Sequence, residues 1–131
     1  MEENFKLEII SPEKRIFSGD TKMVVIPSYE GDMSILKNHI SIITFLRPGI
    51  VKVQINENNF SQFFVEDGTV ELSNNSLLIL SSTVKSLKQL SKNEIDKMIK
   101  ESDEKIKDEK IKDKERYVLS YKIEALKEIR Q

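Results

Sequence analysis

The sequence predicts a β-sandwich, a flattened barrel of about eight to ten short strands, followed by a C-terminal α-helical hairpin. Three observations predict this arrangement. Every glycine and proline of the 131-residue chain lies in the first 68 residues, where they separate short apolar segments. The number of charged side chains is 19 in residues 1–85 and 24 in the shorter segment 86–131. Seven of the nine aromatic residues also belong to the first part. We therefore expect a sandwich over residues 1–86 and a helical tail over residues 87–131.

The segments of the first part have the polarity of β-strands. Residues 5–9 and 51–55 place apolar side chains at every second position, which gives each segment one buried and one wet face. Residues 23–26 form a continuous apolar run, and we expect Pro27 to end it because proline lacks the N–H that a central ladder needs. Arg47-Pro48-Gly49 has the composition of a tight turn.

The second part has the period of a helix. Ser91-Lys92-Asn93-Glu94 matches the Ser-x-x-Glu capping box, and a narrow apolar stripe follows it at helical spacing. Residues 117–129 are helical again. The charged segment 108–115 between them contains neither glycine nor proline, so the sequence does not place a bend. An antiparallel helix pair is the simplest arrangement, and a single long helix is the alternative.

The composition excludes several classes of function. The chain has no cysteine, which excludes a disulfide framework, a thiolate zinc site and a cysteine nucleophile. Its single histidine, His39, excludes a multi-histidine metal site. A net charge of −1 argues against a dedicated nucleic-acid binder. No apolar run approaches the roughly 18 residues that span a bilayer, and the amino terminus has no leader character.

We expect no catalytic residue, no cofactor and no metal. His39 is the obvious candidate for acid–base catalysis, but no partner for it is evident, so a surface or interface role is favoured. The carboxylates beside Gly31 and Gly68 fit turns better than acid pairs. Glycine-rich phosphate loops and the Gly-x-Ser-x-Gly elbow are absent.

Three segments resemble the family of epsilon subunits of F-type ATP synthase. They are SPEKRIFSG at residues 11–19, EGDMSILKNHIS at 30–41 and IITFLRPG at 42–49. The string Glu-Gly-x-hydrophobic, Asn-His and Leu-x-Pro-Gly carries the resemblance. It extends over the whole chain in layout, while the helical tail matches in size and character.

The resemblance implies a non-catalytic rotor subunit of the central stalk, which couples proton flow through the c-ring to ATP synthesis. The sandwich would dock on the gamma subunit and on the c-ring, with Glu30, Asp32 and His39 at that interface. The tail would extend along gamma, meet the alpha and beta subunits and inhibit ATP hydrolysis. The candidate cations of this inhibitory tail are Lys114, Arg116, Lys122, Lys127 and Arg130.

The resemblance also implies a location for the protein, and the chain lacks one motif that some members of the family have. We expect a peripheral position on the cytoplasmic side of a bacterial inner membrane, reached only through the complex; a plastid-encoded copy stays open. Some family members bind ATP through Asp-x-x-Arg-Ala at the first helix, where this chain has Ser91, Glu94 and Ile95. Because the Arg is missing and Glu94 repels phosphate, we expect no ATP binding of that kind.

A free-standing β-sandwich that binds a ligand or a peptide is the alternative function. Such a module needs a platform of surface aromatics, whereas most aromatics here fall in strand-like patterns that favour the core. The tail suits neither nucleic acid nor lipid, because its 13 basic and 11 acidic residues leave a net charge of only +2.

Overall fold

The computed structural model describes residues 3–130 of the chain. Met1 and Glu2, which begin the first predicted domain, and Gln131, which ends the second, lie outside the described residues. Ten strands are followed by a 3-10 turn and two helices, which confirms the predicted fold class. The alternative of a single long tail helix is wrong, because the tail folds back on itself.

The elements follow one another without long interruptions. The strands are β1 Phe5–Ile10, β2 Arg15–Thr21, β3 Met23–Ser28, β4 Gly31–Ile35, β5 Ile42–Leu46, β6 Gly49–Asn56, β7 Asn59–Val65, β8 Gly68–Ser73, β9 Ser76–Leu80 and β10 Lys85–Ser86. A 3-10 turn over Leu87–Gln89 leads to α1 Lys92–Ile106 and α2 Asp113–Arg130.

One hydrogen-bonded sheet contains all these strands. Its order is β10–β7–β6–β3–β5–β8–β9–β1–β2, and β4 pairs with β3 outside this path. β1 and β9 are parallel, whereas the other pairs among residues 3–130 are antiparallel. Buried apolar side chains from eight strands meet in one cluster, so the sheet folds over on itself as a sandwich around a single core.

The alternation that predicted β1 is present in the structure. Phe5, Leu7 and Ile9 are buried in the sandwich core, while Lys6 between them is exposed. The expectation for Pro27 is wrong, since β3 continues through Pro27 to Ser28. The reason is a change of partner: β3 pairs with β6 up to Val25 and with β5 at Ser28, so Pro27 stands where the ladder changes strands.

Gly49 has a steric reason to end the Leu-x-Pro-Gly string. A Cβ atom at this position would stand 2.6 Å from Cβ of Pro27. That separation is far inside van der Waals contact, so only glycine lets the start of β6 pass this close to β3. The glycine of the Leu-x-Pro-Gly motif therefore permits the close approach of β6 to β3.

The start of α1 is capped as the sequence predicts. The hydroxyl of Ser91 accepts a hydrogen bond from the N–H of Glu94 at 3.1 Å and donates one to Oε1 of Glu94 at 3.1 Å. The bend after α1 is held by Arg116, whose guanidinium donates to the carbonyls of Ile106 and Asp108. These bonds satisfy carbonyls that the helix end leaves unpaired.

Candidate docking surfaces

The helical hairpin lies on the outer surface of the sandwich and is fixed there by a small apolar cluster. Phe64 of β7 is fully buried beneath the helices, although its neighbours Phe63 and Val65 point into the sandwich core. We call this group the hinge cluster; its buried members are Phe64, Ile95, Ile99, Ala125 and Leu126. Only one of the five, Phe64, comes from the sandwich, so a single fully buried side chain of the sandwich anchors the hairpin in this cluster.

Ion pairs surround the hinge cluster. Nζ of Lys122 on α2 lies 2.7 Å from Oε1 of Glu66, and both side chains are largely screened from solvent. Nζ of Lys52 on β6 lies 3.7 Å from Oε1 of Glu128 in a more exposed setting. An exposed ion pair such as Lys52–Glu128 contributes little to the free energy of docking, and salt weakens it further. The rim of the interface is therefore electrostatic and sensitive to ionic strength.

A cation and an aromatic ring join the sandwich to α2 at a second point. The guanidinium carbon of Arg47 lies 4.5 Å from the ring centroid of Tyr121. In its plane, the same guanidinium donates from Nε to the carbonyl of Ser28 at 2.9 Å and from an Nη atom to Oδ1 of Asp32 at 3.1 Å. Arg47 thus contacts the hairpin with its face and the sandwich with its edge.

The ring of Tyr121 also has aromatic neighbours on both the sandwich and the hairpin. It meets Tyr29 edge-on at 6.4 Å between centroids and Tyr117 at 4.9 Å. The hydroxyl oxygens of Tyr117 and Tyr121 are 2.8 Å apart. That hydrogen bond, followed by desolvation, raises the pKa of Tyr121 above its ordinary value, while the charge of Arg47 opposes the rise.

The three residues predicted for the subunit interface lie at the two ends of β4. Glu30 is exposed in the turn between β3 and β4, and Asp32 is exposed at the start of β4, where it pairs with Arg47. His39 follows the far end of β4 and is half-buried, with Nδ1 2.7 Å from the carbonyl oxygen of Ile40. Among residues 3–130, no hydrogen bond or ion pair links His39 to either carboxylate.

The loop that carries His39 is built by two asparagines. Asn38 takes a left-handed conformation with φ of 69°, which asparagine tolerates better than most residues. Its N–H donates to the side-chain oxygen of Asn75 at 2.6 Å, and the Asn75 amide donates back to Asn38 at 3.1 Å. The turn after β4 is therefore tied to the turn between β8 and β9, which gives His39 a fixed position.

The five predicted tail cations have different surroundings. Lys122 pairs with Glu66 of the sandwich, and Arg130 pairs with Asp96 of α1 at 3.3 Å. Arg116 holds the bend after α1, as described above, whereas Lys127 is exposed on α2. Three of the predicted cations thus make contacts within the chain when the hairpin is docked.

The sequence motifs do not reveal one prominent feature, an apolar patch on the outside of the sandwich. We call it the outer apolar face; its residues are Ile10, Ile43, Phe45, Leu78 and Leu80. Ile43 is 78% and Phe45 62% exposed. The pairing registers place Phe45, Leu80 and Ile10 in one row across β5, β8, β9 and β1. The available signal was the apolar run 42–46, in which both faces of one strand are apolar.

A groove of about 870 Å³ adjoins the outer apolar face. Pro12, Phe45 and Leu80 form much of its wall, and the predicted tail cation Lys114 lines it from the start of α2. Exposed apolar surface of this kind is typical of sites that contact other macromolecules. A second cavity of about 210 Å³ lies between Arg47 and α2. Within the described residues, no group of carboxylate and imidazole side chains is arranged to hold a metal ion.

The positions matched to the ATP motif of some family members lie at the start of α1. Ser91 caps α1, Glu94 shares its hydrogen bonds, and Ile95 is buried in the hinge cluster. None of the helices described between residues 3 and 130 is long and apolar enough to cross a membrane.

Comparison with known proteins identifies the family. The family described as ATP synthase, Delta/Epsilon chain, beta-sandwich domain matches residues 4–86. The ATP synthase epsilon chain of Pelagibacter ubique is 42% identical over 130 residues, which cover 98% of this chain and 99% of that one. The chain belongs to the ATP synthase epsilon chain family. The epsilon chain of Parvibaculum lavamentivorans is also 35% identical over 99% of this chain and 98% of its own length.

Solved structures agree on the fold of this epsilon-type chain. A chain in the Euglena gracilis mitochondrial ATP synthase, in a structure containing OSCP, F1 and the c-ring, has a TM-score of 0.76 and 17% identity over 97% of this chain and 79% of that one. A chain of the Tetrahymena thermophila enzyme, in a structure of the central stalk and c-ring, has a TM-score of 0.64 and 11% identity over 96% of both chains. The resemblance in the three sequence segments is confirmed, and the free-standing binding module is not favoured.

Proposed function

We propose that the chain is a non-catalytic rotor subunit of a proton-translocating ATP synthase, in which the sandwich docks and the hairpin regulates. The epsilon relatives support the complex, and the outer apolar face supports the docking. In this proposal the chain has no catalytic residues, binds gamma, the c-ring and the alpha and beta subunits, and contacts the membrane only through the complex. Its place is the cytoplasmic side of a bacterial inner membrane.

The outer apolar face is the observation that carries the proposal, and we propose that it binds the gamma subunit. The row of Phe45, Leu80 and Ile10 is apolar apart from Thr69, and it suits an apolar stripe of a partner helix. The neighbouring row of Ile43 and Leu78 also contains the carboxylates Glu71 and Glu8. Glu30 and His39 flank β4, and Asp32 lies at its start, where polar loops of the c-ring could reach them.

Co-purification tests the docking surface. We expect Phe45→Glu to abolish co-purification with gamma, because a buried, unpaired carboxylate is costly at an interface. Phe60→Glu is the matched control, since Phe60 is also exposed but belongs to β7. Equal recovery of gamma by Phe45→Glu and the unaltered chain would remove the outer apolar face from the proposal.

Two variants with opposite expected effects test the regulatory hairpin. Removal of the residues after Leu87 deletes the tail cations, so we expect faster ATP hydrolysis by the assembled complex. Phe64→Ala instead removes the anchor that keeps the hairpin docked, so the tail extends more often and hydrolysis becomes slower. If the tail has only a structural role, both variants are expected to change the rate of ATP hydrolysis in the same direction.

A further inference from the structure

Arg47 contacts both the start of β4, at Asp32, and the middle of α2, at Tyr121. Its side chain is only 18% exposed, whereas that of its partner Asp32 is 63% exposed. Another molecule can therefore reach the carboxylate while the guanidinium stays covered. Arg47 donates to Oδ1 of Asp32 alone, so a partner cation that binds this oxygen competes directly with Arg47, and one that binds Oδ2 withdraws charge from the same pair.

The two contacts of Arg47 use different parts of one rigid group. The hydrogen bonds to Asp32 and to the carbonyls of Ser28 and Pro48 lie at the edge of the guanidinium, and Tyr121 faces its plane. Because the group is planar, the bonds at its edge determine where its face points. Without the hydrogen bond to Asp32, the orientation of the guanidinium plane is less restricted, which weakens its contact with Tyr121.

The turn that precedes Asp32 contacts the hairpin a second time. Tyr29, at the beginning of that turn, meets Tyr121 edge-on. A partner that binds the turn between β3 and β4 thus acts on both contacts that the sandwich makes with the Tyr121 ring. The other attachments of the hairpin are Phe64 and the ion pairs Lys122–Glu66 and Lys52–Glu128.

We propose that Arg47 couples the carboxylate of Asp32 to the docking of the hairpin, so that a lysine or arginine of a docking partner that binds Asp32 releases α2. By reciprocity, an open hairpin leaves Asp32 more available to such a partner. The consequence for ATP hydrolysis rests on the proposed regulatory function. The coupling itself is a property of the isolated chain and is measured there.

A double-mutant cycle tests the coupling in the full chain. Since the chain lacks cysteine, Asn58→Cys and Lys127→Cys provide two specific labelling sites, one in the turn after β6 and one on α2. The distance between two labels reports the ratio of open to docked hairpin. We expect Asp32→Asn and Tyr121→Leu each to raise this ratio about three- to five-fold.

Combining the two substitutions decides between coupling and independent effects. If Arg47 transmits the state of Asp32 to Tyr121, Asp32→Asn has no further effect in the Tyr121→Leu background. Glu30→Gln is the matched control, because Glu30 is an exposed carboxylate of the same turn. Additive effects in the double variant, or an equal effect of Glu30→Gln, would overturn the proposal.

A basic probe tests the partner chemistry on the same labelled chains. A tetra-lysine peptide, added at constant ionic strength, is expected to raise the open fraction of the unaltered chain and of Glu30→Gln. Asp32→Asn is expected to be insensitive to the peptide. An equal response of all three chains would show that the peptide acts elsewhere and would refute release through Asp32. None of these measurements depends on the ATP synthase, so they separate the coupling from the regulatory function.

Discussion

The sandwich and the hairpin differ in how much apolar surface holds each together. Within residues 3–130, fifteen buried apolar residues from eight strands form the sandwich core, whereas the hinge cluster has five. Burial of a large apolar side chain stabilises by roughly 1.5–3 kcal/mol, so the two bodies differ several-fold in this contribution. We therefore expect the hairpin to undock at a much lower free energy than the one at which the sandwich unfolds.

The two regions also differ in what fixes their position. The strands are held by continuous hydrogen-bonded ladders to neighbouring strands, so the position of a strand does not depend on one side chain. The hairpin depends on the buried anchor Phe64, a few ion pairs and the contacts of Tyr121 with Arg47 and Tyr29. A single substitution is therefore expected to separate the two bodies without unfolding the larger one.

The strongest test of this difference is Phe64→Ala. Removing a buried phenylalanine costs about 3–5 kcal/mol, which we expect to undock the hairpin. Because Phe64 lies outside the sandwich core, denaturant unfolding of the sandwich is expected to stay nearly unchanged. Amide hydrogen exchange in α1 and α2 measures the undocking, since isolated helices of this length are marginal in water. Phe60→Ala, on the same strand but exposed, serves as the control.

A smaller effect is expected from the cap of α1. Ser91→Ala removes the hydroxyl that accepts from the N–H of Glu94 and is expected to cost about 1 kcal/mol of helix stability. Faster amide exchange in the first turn of α1 would show this loss. Ser91→Asp keeps a capping oxygen and should exchange like the unaltered chain. Equal exchange in Ser91→Ala would mean that the hinge cluster alone holds this turn.

Local patterns were sufficient to predict the strands, the cap and the layout of the two regions. Alternation buried Phe5, Leu7 and Ile9, and the Ser-x-x-Glu motif placed the start of α1 within one residue. These features depend on neighbours in the chain, so the sequence displays them directly. The bend after α1 was not predictable, because Arg116 fixes it from the next helix rather than a glycine or proline.

The contacts between the two bodies needed the structure. The segment 60–65 contains Phe63 and Phe64 side by side, and nothing local tells which of them faces the core and which anchors the hairpin. Arg47 and Tyr121 are far apart in the chain, and each has an ordinary local setting. The roles of Glu30, Asp32 and His39 toward other subunits stay predictions, as do those of the tail cations.

The ion pair at the rim provides a more modest test. Lys122→Gln removes the partner of Glu66 and is expected to weaken docking by about 0.2–1 kcal/mol. Lys127→Gln is the matched control, because it removes the same charge from an exposed position on the same helix. The label pair at Asn58→Cys and Lys127→Cys cannot be used with this control, since both need position 127. Amide exchange in α2 is therefore measured at low and high salt. Salt is expected to accelerate exchange in the unaltered chain more than in Lys122→Gln, and identical salt dependence would contradict a role for this pair.

The smallest effect concerns Tyr121 at alkaline pH. The hydrogen bond with Tyr117 lies within α2 and raises the pKa of Tyr121, so the folded helix favours the protonated ring. Relative to the unfolded helix, this contribution is complete below the ordinary tyrosine pKa of about 10 and is lost as pH rises through the raised pKa of the folded helix. Helix α2 is therefore expected to unfold more readily in strong alkali. Tyrosinate absorbance should show a late titration step, and Tyr117→Phe should bring that step down. Tyr29→Phe keeps the hydroxyl pair and should keep the late step; its disappearance there would place the cause in the ring contact with the sandwich rather than in the hydroxyl bond within α2.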